Sequence, residues 1–234
     1  MRDYSWVFPV KDEAASLAQL VGEIQIAMKG RDFEIIAVDD ASEDNSLSIL
    51  AKLARKSQIL RVIHLGTHQG KWAAVRRGLE EAKGEIIITL DSDLQDDPKE
   101  AAKLLAKLRD GYDLVSGWRK RRYDPFYKVA ISKFGNWLVS MLSGQRYYDL
   151  NSPFKAYRQE AIANLPKHGS LLRFTMLFAN KVGYKVSEVP IYHRPRRFGK
   201  SKFSIIKYLR IMYDLALVLM LFSGSGRIVK EKSS

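Results

Sequence analysis

The run Glu85-Ile86-Ile87-Ile88-Thr89-Leu90-Asp91-Ser92-Asp93-Leu94-Gln95-Asp96-Asp97-Pro98 decides the fold. Its first half is apolar and β-branched, too short for a helix and suited to a strand. It stops at a cluster of carboxylates, and Pro98 suits the first turn of a helix. Downstream, Ala101, Leu104, Leu105 and Leu108 repeat at i, i+3, i+4 and i+7, the spacing of an amphipathic helix. Upstream the same alternation recurs. Strands are expected at Trp6–Val10, Phe33–Val38 and Leu60–Leu65, and helices at Ala14–Met28, around Leu47, Leu50 and Ala54, and at Lys71–Ala82. A fifth strand follows at Leu114–Ser116. Continuous apolar strands separated by helices predict βαβ units and a mainly parallel sheet covered on both faces. Ligands of such sheets bind beyond the carboxyl ends of the strands, and the acidic pairs Asp39-Asp40 and Asp91-Ser92-Asp93 fall there.

The chain has 234 residues, 39 Lys+Arg, 26 Asp+Glu and no cysteine, for a net charge of +13. That length fits one full core with at most a small appendage. The absence of cysteine excludes a disulfide scaffold, a thiolate zinc site and a cysteine nucleophile. The positive balance implies a polyanionic partner: nucleic acid, an anionic membrane or a phosphorylated substrate. The four histidines show no metal spacing, and neither a G-x-S-x-G elbow nor a P-loop occurs.

Asp91 and Asp93, with the Gln95 side-chain carbonyl, offer hard oxygen ligands on one tight turn. That set suits Mg²⁺ or Mn²⁺ held together with a substrate diphosphate. A D-x-D is also a common polar turn whose Asp caps a helix.

Five segments, taken in order, resemble the elements of family-2 glycosyltransferases, in particular the dolichol- and polyprenyl-phosphate sugar transferases. They are Pro9-Val10-Lys11-Asp12-Glu13, Val38-Asp39-Asp40-Ala41-Ser42-Glu43-Asp44-Asn45-Ser46, Asp91–Pro98, Ser116-Gly117-Trp118-Arg119 and Arg196-Arg197-Phe198-Gly199-Lys200-Ser201-Lys202. The resemblance spans about residues 5–208, with Lys11 and Asp12 departing from the usual Tyr and Asn. It implies a Rossmann-like GT-A nucleotide-sugar-binding α/β fold. It also implies an inverting enzyme that moves a hexose from a nucleotide diphosphate sugar, of GDP-mannose or UDP-glucose type, to a polyprenyl phosphate. By the same resemblance Pro9, Val10, Glu13, Val38, Asp40, Asp91 and Ser92 line the nucleotide-sugar pocket. Asp93, Gln95 and Asp91 serve the metal. Arg119, Arg196 and Lys202 meet phosphate, and Lys133 lies near the acceptor phosphate. Asp44 is read as a helix cap and Lys71 as the start of a surface helix. A hydroxyl acceptor would need a general base, and Asp149 is the carboxylate for that alternative; otherwise it is a turn residue.

Domain boundaries are expected at 1–202 for the transferase and 203–234 for a membrane-interface helix with a polar tail. The segment from Ser204 to Phe222 is amphipathic and then apolar, shorter than the roughly 18–20 apolar residues of a span. A second candidate, Tyr127–Leu142, carries Ala130, Phe134, Trp137, Leu138 and Met141 on one face. Such helices lie in membrane interfaces or pack on cores. The expected setting is the cytoplasmic face of an anionic membrane, with an oligomer possible. A nucleic-acid-binding module is the remote alternative.

Overall fold

The computed structural model describes residues 2–120, 126–162, 169–196 and 214. The expectations for Lys202, for the boundary at 202/203 and for the 204–222 helix therefore lie outside the described residues, Asp214 excepted. The elements are β1 (Arg2–Val10), α1 (Leu17–Ala27), β2 (Phe33–Asp39), α2 (Ser46–Lys56), β3 (Leu60–His64), α3 (Lys71–Glu81), β4 (Gly84–Thr89), α4 (Ala101–Arg109), β5 (Leu114–Arg119), α5 (Phe126–Ser143), β6 (Lys155–Arg158), α6 (Gln159–Ile162), α7 (Thr175–Lys181) and β7 (Val186–Ile191). Short 3-10 turns precede α4 and α7.

The strands form one sheet in the order β3-β2-β1-β4-β6-β5-β7. All neighbours run parallel except β6, which is antiparallel to both β4 and β5. The mainly parallel sheet matches expectation; the inserted antiparallel strand does not. Its four residues, Lys155-Ala156-Tyr157-Arg158, begin and end in cations and carry no β-branched run.

The continuous apolar strands are explained by two buried faces. Trp6, Phe8 and Val10 of β1 join a core with Leu17, Leu20 and Ile24 of α1 and Leu104 and Leu108 of α4. Val7, between them, joins the opposite core with Ile36, Val38 and the α3 residues Ala74, Val75 and Leu79. Gly78 lets α3 settle onto β1, because a Cβ there would collide with the Val7 side chain. A third cluster, built on Val139, Tyr147, Tyr157, Phe174 and Leu177, covers the β5–β7 end. This arrangement brings the carboxyl ends of β1, β2 and β4 together, and β6 adds its amino end beside them.

Candidate active site

Three loops leave the carboxyl ends of β1, β2 and β4, and each contains one non-glycine residue in the left-handed region. Asp12, Ala41 and Leu94 have φ of 55°, 54° and 62°. Each such residue costs on the order of 1 kcal/mol, and strain of this kind gathers where a backbone is shaped for a ligand.

The first two loops are laced to each other. The backbone N–H groups of Asp12, Glu13 and Ala14 donate to Ser42 Oγ, Ser46 Oγ and Asp44 Oδ2 at 3.0, 2.9 and 3.1 Å. This delays α1 to Leu17, three residues later than its periodicity suggests. Asp44 also accepts from the Ser46 N–H at 2.8 Å in the first turn of α2. It thus acts as the expected cap, although Asn45 is the boundary residue. Asp39 is fully buried and bonded to His64 Nδ1 at 2.8 Å.

Asp40, expected to be a ligand, has a structural task here. It accepts the N–H groups of Gln69 and Gly70 at 2.7 and 2.9 Å and pairs with His68 at 2.8 Å, fixing the loop before α3. Val10 and Val38 are wholly buried core residues, so their side chains do not line the site. The Val10 carbonyl accepts the Asp40 N–H at 2.8 Å, and Pro9 offers its carbonyl to Ser92 Oγ at 2.9 Å. These four positions shape the site rather than face a ligand with free side chains.

The β4 loop carries the carboxylates. Leu94 is buried beneath the turn, and the Gln95 N–H donates to Asp93 Oδ1 at 3.2 Å. Burial, and then the charge of Asp91, push the Asp93 carboxyl up to about 6. Asp91 meets Lys71 at 2.7 Å, so Lys71 is more than the start of a surface helix. Among the described residues no three His, Cys, Asp or Glu side chains close on one point. The oxygens of Asp91, Asp93 and Gln95 fit a hard divalent ion that takes its remaining ligands from a diphosphate and water.

The segment after β7 folds across this loop. His193 Nδ1 meets Asp96 Oδ1 at 2.9 Å, with both residues buried. The Arg194 N–H donates to the Gln95 carbonyl at 2.7 Å. The Arg194 guanidinium bridges Glu23 and Asp97 at 2.8 and 2.6 Å. Its charge is thereby paired on both sides. Arg196 binds Glu13 at 2.9 Å and lies 3.9 Å from Asp93. Glu13, expected in the nucleotide pocket, Asp93, expected at the metal, and Arg196, expected at phosphate, are therefore neighbours.

Arg119 ends β5 and is locked to Asp149. Its Nε and Nη2 reach the two carboxylate oxygens at 2.7 and 2.9 Å, and its N–H adds a bond of 3.3 Å. Lys133 is separate: it is exposed on α5, with no hydrogen-bond or ion-pair partner among the described residues. Lys155 was not foreseen. It is 1% exposed, lies in register between Thr89 and Ser116, and burial lowers its ammonium to about 7. With Lys71, Trp72, Asp91 and Thr175 it lines a recess of about 10 Å³, room for roughly one water.

Residues 5–177 match the profile of glycosyl transferase family 2. The chain belongs to that family. It is 35% identical over 219 residues to the undecaprenyl-phosphate 4-deoxy-4-formamido-L-arabinose transferase of Enterobacter sp. (strain 638), covering 92% of this chain and 67% of that protein. Among solved structures, glucosyl-3-phosphoglycerate synthase from Mycobacterium tuberculosis, in complex with Mn²⁺, UDP and phosphoglyceric acid, superposes with a TM-score of 0.72. The pair are 20% identical over 96% of this chain and 80% of that one. A mannosyltransferase from Pyrobaculum calidifontis, in complex with GDP-Man and Mn²⁺, gives a TM-score of 0.69 at 18% identity over 94% and 64%. At these identities the two structures establish the shared GT-A fold. The chain is thus a glycosyltransferase, and the carboxylate loop after β4 sits where such folds bind ligands.

Proposed function

We propose that this family-2 enzyme transfers a sugar, with inversion, from a nucleotide diphosphate donor to a polyprenyl phosphate at a membrane surface. The observation that carries the choice of acceptor is the Arg119–Asp149 lock. Asp149 was the candidate base for a hydroxyl acceptor, yet both its oxygens accept from one guanidinium. A carboxylate so engaged is stabilised as an anion and is a poor proton acceptor. A phosphate acceptor is already ionised near neutrality and needs no base. The undecaprenyl-phosphate named for the relative from Enterobacter supports the same acceptor class.

In this reading the nucleotide lies over the laced β1 and β2 loops, with Glu13 and Asp40 beneath it. Asp93, Asp91 and Gln95 hold Mg²⁺ or Mn²⁺, which supplies charge neutralisation for the departing nucleotide diphosphate. Arg196, held by Glu13 and 3.9 Å from Asp93, is assigned to the diphosphate, and Lys202 keeps its assignment to phosphate. Arg119 holds the acceptor phosphate, whose oxygen attacks the anomeric carbon on the face opposite the leaving group. The face of α5 with Phe134, Trp137 and Met141 exposed at 58%, 57% and 58%, beside exposed Lys133, rests in the head-group layer. Among the described residues no helix is long and apolar enough to span a bilayer. The 203–234 segment is assigned as a second contact with the same membrane, on its cytoplasmic face.

The test is a transfer assay crossing UDP- and GDP-sugars with polyprenyl phosphate and polyprenol, in Mn²⁺, in Mg²⁺ and in chelator. The expected product is a polyprenyl-phosphate sugar formed only with a divalent ion. Transfer to polyprenol alone would overturn the acceptor, and full activity in chelator would overturn the metal.

A further inference from the structure

Lys155 is a buried ammonium without a facing carboxylate in hydrogen-bond contact, and the transfer described above makes no use of it. Its Nζ donates instead to two backbone carbonyls, those of Leu150, at 3.4 Å, and Ser152. Those carbonyls lie one and three residues after Asp149 in the chain. On the other side of the same turn, the Glu188 carboxylate accepts the N–H groups of Tyr148 and Asp149 at 2.6 and 2.7 Å. The turn 148–152 is therefore gripped at its N–H groups by an anion from β7 and at its carbonyls by a cation from β6. Stacking of Tyr148 on Trp118, with centroids 4.3 Å apart, closes it against β5. What the turn presents is Asp149, and what Asp149 holds is the Arg119 guanidinium.

We infer that Lys155 is a positioning residue for the transfer: by fixing the 149–152 turn it sets Asp149, and through Asp149 it aims Arg119 at the acceptor phosphate. This rests on the reading of Arg119 as the phosphate ligand. A purely structural need is a poor explanation. The position lies in a sheet interior between Phe154 and Ala156, both fully buried, where an apolar side chain would cost less than an ammonium. Lys71 and Arg119 are both near enough to disfavour its charge, while Asp149 and Glu188 favour it. Lys155 thus sits near both the Lys71–Asp91 pair, with which it shares a recess, and the Arg119–Asp149 pair. An ammonium retained at such a place points to a task in the site itself.

The experiment is a double-mutant cycle of Lys155→Met and Arg119→Ala, read with a polyprenyl phosphate acceptor. Hydrogen exchange of the unliganded proteins is measured alongside. Lys155→Met is expected to raise the acceptor KM about 10-fold with donor KM changed less than about twofold, and to add almost nothing in the Arg119→Ala background. Exchange at the amides of Arg119, Tyr148 and Asp149 is expected to quicken about 10-fold, with β1 and β2 amides unchanged. Lys155→Arg, which keeps a donor for the carbonyls, is expected to recover part of the acceptor affinity. Additive effects in the cycle, or unchanged exchange in the turn, would overturn the positioning role. If Lys155→Met does not fold, Lys155→Gln carries the same cycle, because its amide keeps one of the two carbonyl bonds. Wild-type protein inactive towards polyprenyl phosphate would instead defeat the acceptor assignment; the exchange measurement still decides whether Lys155 holds the turn.

Discussion

Burial and the Asp91 charge raise Asp93 from its ordinary 3.8 to about 6, so the folded chain keeps this proton longer than the unfolded chain does. Stability therefore falls as pH climbs from about 4 to 6 and stays reduced above that. Asp93→Asn removes the penalty. In metal-free protein at pH 7.5 it is expected to stabilise the fold by about 1–3 kcal/mol in urea melts, an advantage that shrinks below pH 4. The same variant is expected to lose transfer activity roughly 100-fold or more. Lys155 titrates with the opposite sign. Its ammonium is lowered from 10.5 to about 7, so between those values the unfolded chain binds the extra proton and stability rises with pH. Relative to Lys155→Met, the wild type is expected to gain about 2 kcal/mol between pH 7 and 9, measured by denaturation at each pH. At this scale the oxygen-rich turn Asp91–Gln95 was legible in the sequence because its groups lie in adjacent residues. The partners of Asp40 and Asp149 were not. A carboxylate reads the same in sequence whether backbone amides, a guanidinium or a nucleotide will meet it, and only the fold brings Gln69, Gly70 and Arg119 to them.

Among the elements, β1 to β5 follow from short apolar runs: the inner strands, buried on both faces, have no polar alternation to hide them, and the half-buried edge strand β3 still carries Leu60, Val62 and Ile63. The antiparallel β6 escaped for the converse reason: two of its four residues are cations, and the buried one is held by backbone carbonyls that no sequence pattern announces. The helix α5 was foreseen within a residue of its ends, Phe126–Ser143 against Tyr127–Leu142. Its residues 134, 137 and 141 share a face at helical spacing, and all three are more than half exposed. Trp137→Asp is expected to weaken binding to anionic liposomes about 3- to 10-fold in flotation while leaving the thermal midpoint within about 2 °C. Unchanged flotation would remove α5 from the membrane contact. The strap after β7 makes a further expectation. His193→Ala strips the buried Asp96 of its imidazole partner and is expected to cost about 2–4 kcal/mol in stability, read by urea denaturation.

At the scale of the whole molecule, the surplus of 13 positive charges is not a uniform field. Arg194, Arg196, Arg119 and Lys71 are each spent on a carboxylate around the strand ends. Lys71 and Arg196 lie beside the acidic loop after β4, at Asp91 and Asp93, Arg119 is held on Asp149, and exposed Lys133 lies beside the apolar face of α5. That is the distribution expected of a site that takes two phosphorylated substrates, one dissolved and one anchored in lipid. The measurement that tests this most directly is a competition. The enzyme, Mn²⁺ and a nucleotide sugar with an α-linked donor are mixed with equal amounts of polyprenyl phosphate and polyprenol. The products are then separated, and the anomeric linkage is assigned by NMR. A β-linked glycosyl phosphate is expected as the sole lipid product. A glycosyl ether of polyprenol, or retention of the α linkage, would contradict it.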